Sequence, residues 1–510
     1  MVCSVDHLAS SAGVAMLRAG GNAVDAAIAT SAVLAVTTQH MCGMGGDLFA
    51  LVHRPGEPTP LALCAAGRAG SGASAADMRA EGLTSVPLTG DLRAATIPGC
   101  VDGWVTLHER GARLPLAALL EPARQLAEDG FPAAPLLAWS TPGIVDLPGA
   151  EAYRRERGLR VGDRVVRPEV AGVLAAIGEG GRSAFYEGAF GQALVALGGG
   201  LYAEADLATS QADWVTPLSV AAWGHEVWTV PPPSQGYLSL AAAWIADQLD
   251  LPDDPDDGAW AHLLLEAARW VAYDRPDVLF DGADGAALLA EARLEPRRAA
   301  IDPDHRTSPL GLGAAGGTIH LCTADGEGGA VSLIQSNASG WGCHIVVPGT
   351  GIFLHDRGLG FSLEEGHPAE MAPGRRPPHT LSPALVTHPD GRLAHVVGTM
   401  GGDMQPQVVL QLLVRLLRHR QSPGAAVTAP RWVVGTGGFG TWTDDGQDHA
   451  SLEDGSPGSW TTGLEARGHR VRQLPAMSNV GHAHVISRSD DGILGGAADP
   501  RALTGAAFGC

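Results

Sequence analysis

An α+β fold is predicted for this 510-residue chain by three observations. Segments with helical periodicity and capping signals dominate up to about residue 305, and short strands with turn punctuation dominate beyond it. The stretch TIHLCTADGEGGAVSLIQS, residues 318–336, alternates apolar and polar positions on both sides of a glycine-rich turn, the pattern of a hairpin. The length exceeds what one small core accommodates, so one large domain or two intimately joined ones are expected.

The helices are marked by their ends. His7–Arg18 is followed by Gly20 and Gly21, a stop signal, and Asn22 is placed to cap a second helix from about Ala23 to Val36. Apolar residues surround that second segment, so it is expected to be buried; with Asp25 in it, it is too short and too polar to span a bilayer. Gly43–His53 reads as a glycine turn into a strand. Pro115 opens a helix that runs to Gly130, Trp260–Tyr273 forms another, and the proline break Pro231–Gly236 lies between them. A further helix is expected at Val408–Arg418. The small-residue segment GLGAAGG, residues 311–317, is the best boundary between the two halves, and the glycine-rich acidic stretch Thr436–Gly455 reads as a surface loop.

Composition removes several function classes. The net charge of −21 argues against nucleic acid and anionic membranes as partners. No lysine occurs, which excludes a Schiff-base lysine, a phosphate-loop lysine and a Ser–Lys pair and leaves arginine alone to fix anionic substrate groups. Seven widely spaced cysteines without a CxxC pair point to reduced thiols rather than a disulfide framework or a zinc site. His482 and His484 in GHAHV have no acidic or cysteine partner at ligand spacing and read as one face of a strand, so neither a metal nor a cofactor is expected. The start, MVCSVDHLAS, has no basic segment followed by an apolar run, and a cytoplasmic protein is expected.

Thr318 stands where a glycine-rich linker meets a strand. A threonine hydroxyl is a weak nucleophile, but a threonine that begins a chain carries its own base, a freed α-amine with a pKa near roughly 8. Such a nucleophile needs a bond to break before it and small neighbours that permit backbone distortion, which Gly316 and Gly317 supply. Donors for a tetrahedral oxyanion can come from successive backbone N–H groups in a glycine turn, and TMGGDMQPQ, residues 399–407, places Gly401 and Gly402 in one.

With these residues the chain resembles the γ-glutamyltranspeptidase family of N-terminal nucleophile hydrolases, in particular its shorter acylase-like and oxamate-amidohydrolase-like branch. The resemblance runs in order through LRAGGNAVDAAIATSAVLAVT, TIPGCVDGW, PPPSQG, LEAARWVAYDR, GGTIHL, SLIQSN, VVPGTGIFL, RPPHTLSPALV, MGGDMQPQ, APRW and GAADPR. It implies an αββα sandwich with two central antiparallel sheets. It also implies a proenzyme that cleaves itself between Gly317 and Thr318 into a large chain, 1–317, and a small chain, 318–510, which stay associated and can pair into a dimer of heterodimers. By the same resemblance Thr318 is the nucleophile, Ser336 takes the place of a second threonine that supports it, Gly401 and Gly402 form the oxyanion hole, and Arg68 grips a substrate carboxylate with its bidentate fork.

The departures from the family bear on substrate. Gly360 stands where glutamate-specific members have an aspartate for the donor's α-amino group, Arg357 replaces a neighbouring glutamine, Ala338 replaces an asparagine, and His379 and Thr380 stand in place of paired serines. No acidic side chain is left to hold an ammonium. The expected substrate is therefore a small amide whose acyl group is anionic and lacks the glutamate amine, opened through a threonine acyl-enzyme that is resolved by hydrolysis or by transfer to an acceptor. Two other readings stand beside this one. One is a hydrolase that breaks a C–C bond to remove an oxalyl group in the biosynthesis of 4-alkylproline antibiotics. The other is an inactive homologue kept as a binding protein, which the presence of Thr318 and of the glycine pair disfavours.

Overall fold

The computed structural model describes residues 1–307, 317–435, 449–475, 478 and 480–510. Within these, strand alternation builds two antiparallel sheets. The first holds seven strands in the order Ala506–Phe508, Val2–Ser4, Gly317–Ala324, Ala330–Ala338, Asp47–His53, Leu61–Ala65 and Asp213–Val215. The second holds six, in the order Leu494–Ala498, Ala483–Arg488, Leu393–Thr399, Ala384–Thr387, His225–Thr229 and Leu218–Ala222.

Because successive side chains of a strand point to opposite faces, each sheet feeds two cores. Ile319, Leu321, Val331 and Leu333 pack beneath the helices Ala23–Thr37, Cys100–Gly111 and Leu116–Asp129, whereas Cys322, Ile334 and Phe49 meet Leu385, Val396 and Ile486 of the second sheet. On the far side Val227, Val386, Val397 and Val485 pack against the helices Tyr237–Asp247, Gly258–Ala272 and Gln405–Leu413. The layers are helix, sheet, sheet, helix: the αββα sandwich that the resemblance implies.

The Ala23–Thr37 helix is buried along its whole length, as its all-round apolar pattern requires. Asn22 accepts from the N–H groups of Val24 and Asp25 while Asp25 accepts from that of Asn22, so the buried helix start has no orphan donor at these positions. The expected helix near Val408 begins earlier, at Gln405, and ends in a π turn at Val414–Arg418.

Both halves of the chain contribute strands to both sheets. One expectation changes. The Thr436–Gly455 stretch is not all surface loop: residues 436–448 lie outside the described residues, but His449–Leu452 is a strand with a buried interior, paired with Trp432–Val434 and, in parallel, with Arg470–Gln473. Residues 308–316, which include Gly316 and most of GLGAAGG, also lie outside the described residues.

The motifs APRW and GAADPR meet in one buried knot. Arg431 donates to Asp499 at 2.7 Å and to the Val480 and Gly481 carbonyls, Arg501 pairs with Asp499 at 3.0 Å, and the Ala483 N–H reaches Asp499 at 2.7 Å. Burial alone would raise the Asp499 pKa, but Arg431 and Arg501 hold its carboxyl well below the ordinary value. Asp499→Ala should cost about 3–5 kcal/mol in chemical denaturation, because it leaves a buried guanidinium uncompensated. A native pKa below the unfolded one means that this contribution is complete above about pH 4 and fades as pH falls toward the native value. A cost below about 1 kcal/mol at neutral pH, where surface pairs fall, would contradict this.

Candidate active site

Thr318 is the second residue of the strand Gly317–Ala324, on the face that looks toward the second sheet, the face that His320 and Cys322 share. Its partner strand is irregular here. Ile319 pairs with Gln335 and Gly317 with Ala338, so two residues, Ser336 and Asn337, lie opposite Thr318. This is a β-bulge, and bulges re-aim side chains. The result is a contact of 2.9 Å between Thr318 Oγ1 and Ser336 Oγ, both buried. Ala338, with φ of +69°, turns its N–H back onto Ser336 Oγ at 2.8 Å.

Arg357 is the second donor to that oxygen. Its Nη2 lies 3.2 Å from Ser336 Oγ and its Nη1 3.2 Å from Thr380 Oγ1. A hydroxyl has two acceptor lone pairs. With Ala338 and Arg357 both donating to it, the Ser336 oxygen is well supplied with donors beside the Thr318 hydroxyl. Burial pushes the Arg357 pKa down to about 10, which leaves it charged at neutral pH.

Arg357 and Thr380 open onto a cavity of about 280 Å³ that Arg275, Gly360, Phe361, His367 and Asp403 also line. Asp403 is an acid in this cavity, contrary to the expectation that none is available; its Oδ1 lies 3.5 Å from Arg275 Nη2. Gly360 has no room for a side chain, since a Cβ there would meet the Pro378 carbonyl at 2.4 Å. A separate hollow of about 190 Å³, lined by Asn22, Arg110, Trp214 and Glu327, sits at the far end of the same strands and shares no residue with this one.

Gly401 and Gly402 form a turn with φ of +130° and +56°, conformations that suit glycine. The turn leads into the Gln405–Leu413 helix and is tied to the site by Gln235 of PPPSQG. Gln235 Nε2 donates to the Gly402 carbonyl at 2.9 Å and to the Thr380 carbonyl at 3.1 Å, and its N–H donates to the His379 carbonyl.

His379 is held from behind. Its Nδ1 accepts from the Leu381 N–H at 3.3 Å, so the ring proton sits on Nε2 and is donated to Asp47 Oδ2 at 3.0 Å. Burial, with Arg357 nearby, pushes its pKa down to about 3, and the imidazole is neutral. Asp47 also accepts from the Gly67 and Gly99 N–H groups. Burial would raise its pKa, but His355 beside it, the His379 bond and the Gly67 N–H hold it well below the usual range.

The expected site residues therefore divide. Thr318, Ser336, Arg357 and Thr380 form one continuous hydrogen-bonded chain, and Gly401–Gly402 joins it through Gln235. His379 spends both ring nitrogens inside the protein, so it positions its neighbours and offers no polar atom to a substrate. The Arg68 guanidinium is turned to Asp213 at 2.7 Å and to the Ser210 carbonyl, and it does not line the cavity. Sequence reasoning missed Asp47, Gln235, Arg275 and Asp403, although GMGGD, PPPSQG, LEAARWVAYDR and MGGDMQPQ each carried one of them. His482 and His484 are buried and neutral, with pKa values pushed down by burial to about 4 and 3. Among the described residues no cluster able to hold a metal ion is present, and no helix is long and apolar enough to cross a membrane.

Comparison with known proteins agrees with this architecture. The model of the gamma-glutamyltranspeptidase family matches residues 9–509. The chain is 35% identical to the oxamate amidohydrolase proenzyme of Klebsiella pneumoniae subsp. pneumoniae, over 100% of this chain and 98% of that one. It is also 35% identical to the glutathione hydrolase-like YwrD proenzyme of Bacillus subtilis, with the same coverage. The crystal structure of cephalosporin acylase from Bacillus halodurans superimposes with a TM-score of 0.90 at 32% identity, covering 98% of this chain and 94% of that one. An αββα sandwich with Thr318 at a strand start, matched end to end by these relatives, is a member of the γ-glutamyltranspeptidase family, and this chain belongs to it.

Proposed function

We propose that the protein is a self-processing amidohydrolase whose nucleophile is Thr318 and whose substrates are amides of compact anionic acids. The observation that carries this reading is the hydrogen-bonded chain from the Thr318 hydroxyl through Ser336 to Arg357, a buried cation that lines a small cavity. Relatives described as proenzymes of an oxamate amidohydrolase and of a glutathione hydrolase-like protein support the processing and the amide chemistry.

Maturation breaks the Gly317–Thr318 peptide bond and frees the α-amine of Thr318. In turnover that amine takes the proton of Oγ1 as the oxygen attacks the acyl carbon, and Ser336, hydrogen-bonded to the same oxygen, holds it in place. The N–H groups of Gly401 and Gly402 receive the oxyanion. The leaving amine departs with a proton, an ester remains on Thr318, and water releases the acid and restores the hydroxyl. Arg357 holds the acyl group's carboxylate.

Processing is read on a denaturing gel. The purified protein should run as chains of about 33 and 20 kDa, in proportion to their shares of the 52.4 kDa chain, and the smaller should begin Thr-Ile-His. Thr318→Ala should stay whole; a processed variant, or another first residue, rejects Thr318. In protein confirmed as processed, Gly401→Val should cut turnover about a hundredfold, comparable to the loss of one oxyanion donor, and near-normal turnover would remove the glycine pair from the mechanism.

Substrate class is read by kcat/KM on an oxalyl amide against a γ-glutamyl anilide. Two guanidiniums at the cavity disfavour an ammonium, at about 1–3 kcal/mol for each charged hydrogen bond forgone or like charge met, or tenfold to a hundredfold. The oxalyl compound should win by at least that factor, and Arg357→Ala should reduce its rate more than Arg68→Ala, whose guanidinium is already paired. A clear win for the glutamyl compound makes ordinary transpeptidase chemistry the better reading.

A further inference from the structure

The cavity contains the acid that a γ-glutamyl donor would need, and a neighbouring cation occupies it. Asp403 follows the Gly401–Gly402 turn directly, is 1% exposed and sits 3.5 Å from Arg275. An incoming ammonium could use this carboxylate only by displacing a guanidinium, and Arg275 is poorly placed to move. It opens the short helix Arg275–Val278, and the residue before it, Asp274, is clamped by Arg293 at 2.9 Å and Arg297 at 2.6 Å. The Arg275 side chain is 13% exposed, and its Nε is buried without a hydrogen-bond partner among the described residues while the residue lines the cavity. A buried N–H of this kind is costly unless something accepts from it. A ligand carboxylate would do so, and with Arg357 on the same cavity the fixed charges among the described residues are two cations against one anion.

We propose that Arg275 determines acyl specificity: it neutralises Asp403 and presents its remaining donor edge to the ligand, so that the cavity takes a compact dicarboxylate and rejects the same chain with an amine. This deepens the amidohydrolase reading given above and rests on it only for the cavity's role as the acyl pocket, not for which acid the cavity binds. Arginine suits the role because its planar fork can serve Asp403 with one nitrogen and a ligand carboxylate with others. The pairing would also explain why the cavity tolerates Gly360, where no side chain fits: the acid that matters is elsewhere and is already occupied.

Binding of the free acids tests this without any turnover. Oxalate and L-glutamate are titrated calorimetrically into the processed wild type, Arg275→Leu, Arg275→Lys, Asp403→Asn and the double variant. The wild type should prefer oxalate. Arg275→Leu should weaken oxalate at least tenfold and strengthen glutamate, moving the ratio of the two affinities about a hundredfold. Arg275→Lys, which keeps the charge, should preserve the order of preference and shows that the effect is not loss of folding. Asp403→Asn should keep the preference for oxalate, and the double variant should lack the gain for glutamate. An affinity ratio in Arg275→Leu within threefold of the wild type overturns the proposal, as does a wild type that binds neither acid. A wild type that binds oxalate through Arg275 yet hydrolyses no oxalyl amide leaves this specificity in place and removes the amidohydrolase reading instead.

Discussion

One hydroxyl, that of Ser336, holds the site together. It receives the Ala338 N–H and the Arg357 guanidinium and shares a hydrogen bond with the Thr318 hydroxyl. A regular hairpin could not supply this geometry, because strict pairing would set one residue opposite Thr318 and leave the Ala338 N–H on the ladder. The extra residue in the Gln335–Ala338 bulge removes that constraint. Other backbone positions give way to it: a Cβ at Gly46 would meet the Ser336 carbonyl at 2.2 Å, and a Cβ at Gly398 would meet the His320 ring at 2.4 Å. The glycines of GMGGD and VVG therefore shape the space behind and beside the bulge, and the bulge aims the hydroxyl. A hydroxyl at position 336 meets these demands whether threonine or serine carries it, although threonine would add a methyl group to a fully buried position.

Charge in this region is arranged in alternation. Arg357 is fully buried, and Asp47 and Asp356 offset its desolvation while Arg275 opposes it. Asp47 is kept as a carboxylate by donors on several sides, one of them the neutral imidazole of His379. A neutral His379 matters for Arg357, because an imidazolium there would add a third cation to a desolvated cluster. The fixed hydrogen bonds to Asp47 and Leu381 leave the ring no reason to charge. Gln235 then links this polar layer to the Gly401–Gly402 turn, so that the proposed oxyanion donors and the Arg357–Thr380 contact share one rigid support.

The sequence was legible where signals were local. Alternation on either side of DGEGG foretold the hairpin, Asn22 foretold the helix start, and the linker before Thr318 marked the strand start where the bulge lies. Signals that depend on pairs distant in the chain were not legible. Arg275 and Asp403 are brought together only by the packing of helix layer on sheet, and each looked like an unremarkable member of a longer motif. Arg68 had the right residue type in the right motif, but the partner that claims its guanidinium, Asp213, comes from the edge strand of the first sheet. His449–Leu452 was mistaken for loop because glycine and acid dominate the residues before it, whereas its pairing partners lie on both sides in sequence.

The interleaving of the two halves bears on what a cut at Gly317–Thr318 would do. Residues on both sides of that bond are built into the same sheets: the strand that begins at Gly317 lies between Val2–Ser4 and Ala330–Ala338, and Asp47–His53 closes the far side of Ala330–Ala338. Breaking one peptide bond removes no ladder hydrogen bond between Ile319 and Gln335 or between Ser4 and Leu321. Separation of the halves would expose the apolar core between helix layer and sheet, to which residues on both sides of the bond contribute. At roughly 25 cal/mol per Å² of apolar surface, that exposure far outweighs the chain freedom gained at one cut. The new α-amine would therefore stay where the strand holds Thr318, within reach of the hydroxyl it is to serve. A self-made chain end inside a sheet shared by both halves would let the fold supply a base at Thr318 without loosening the site that uses it.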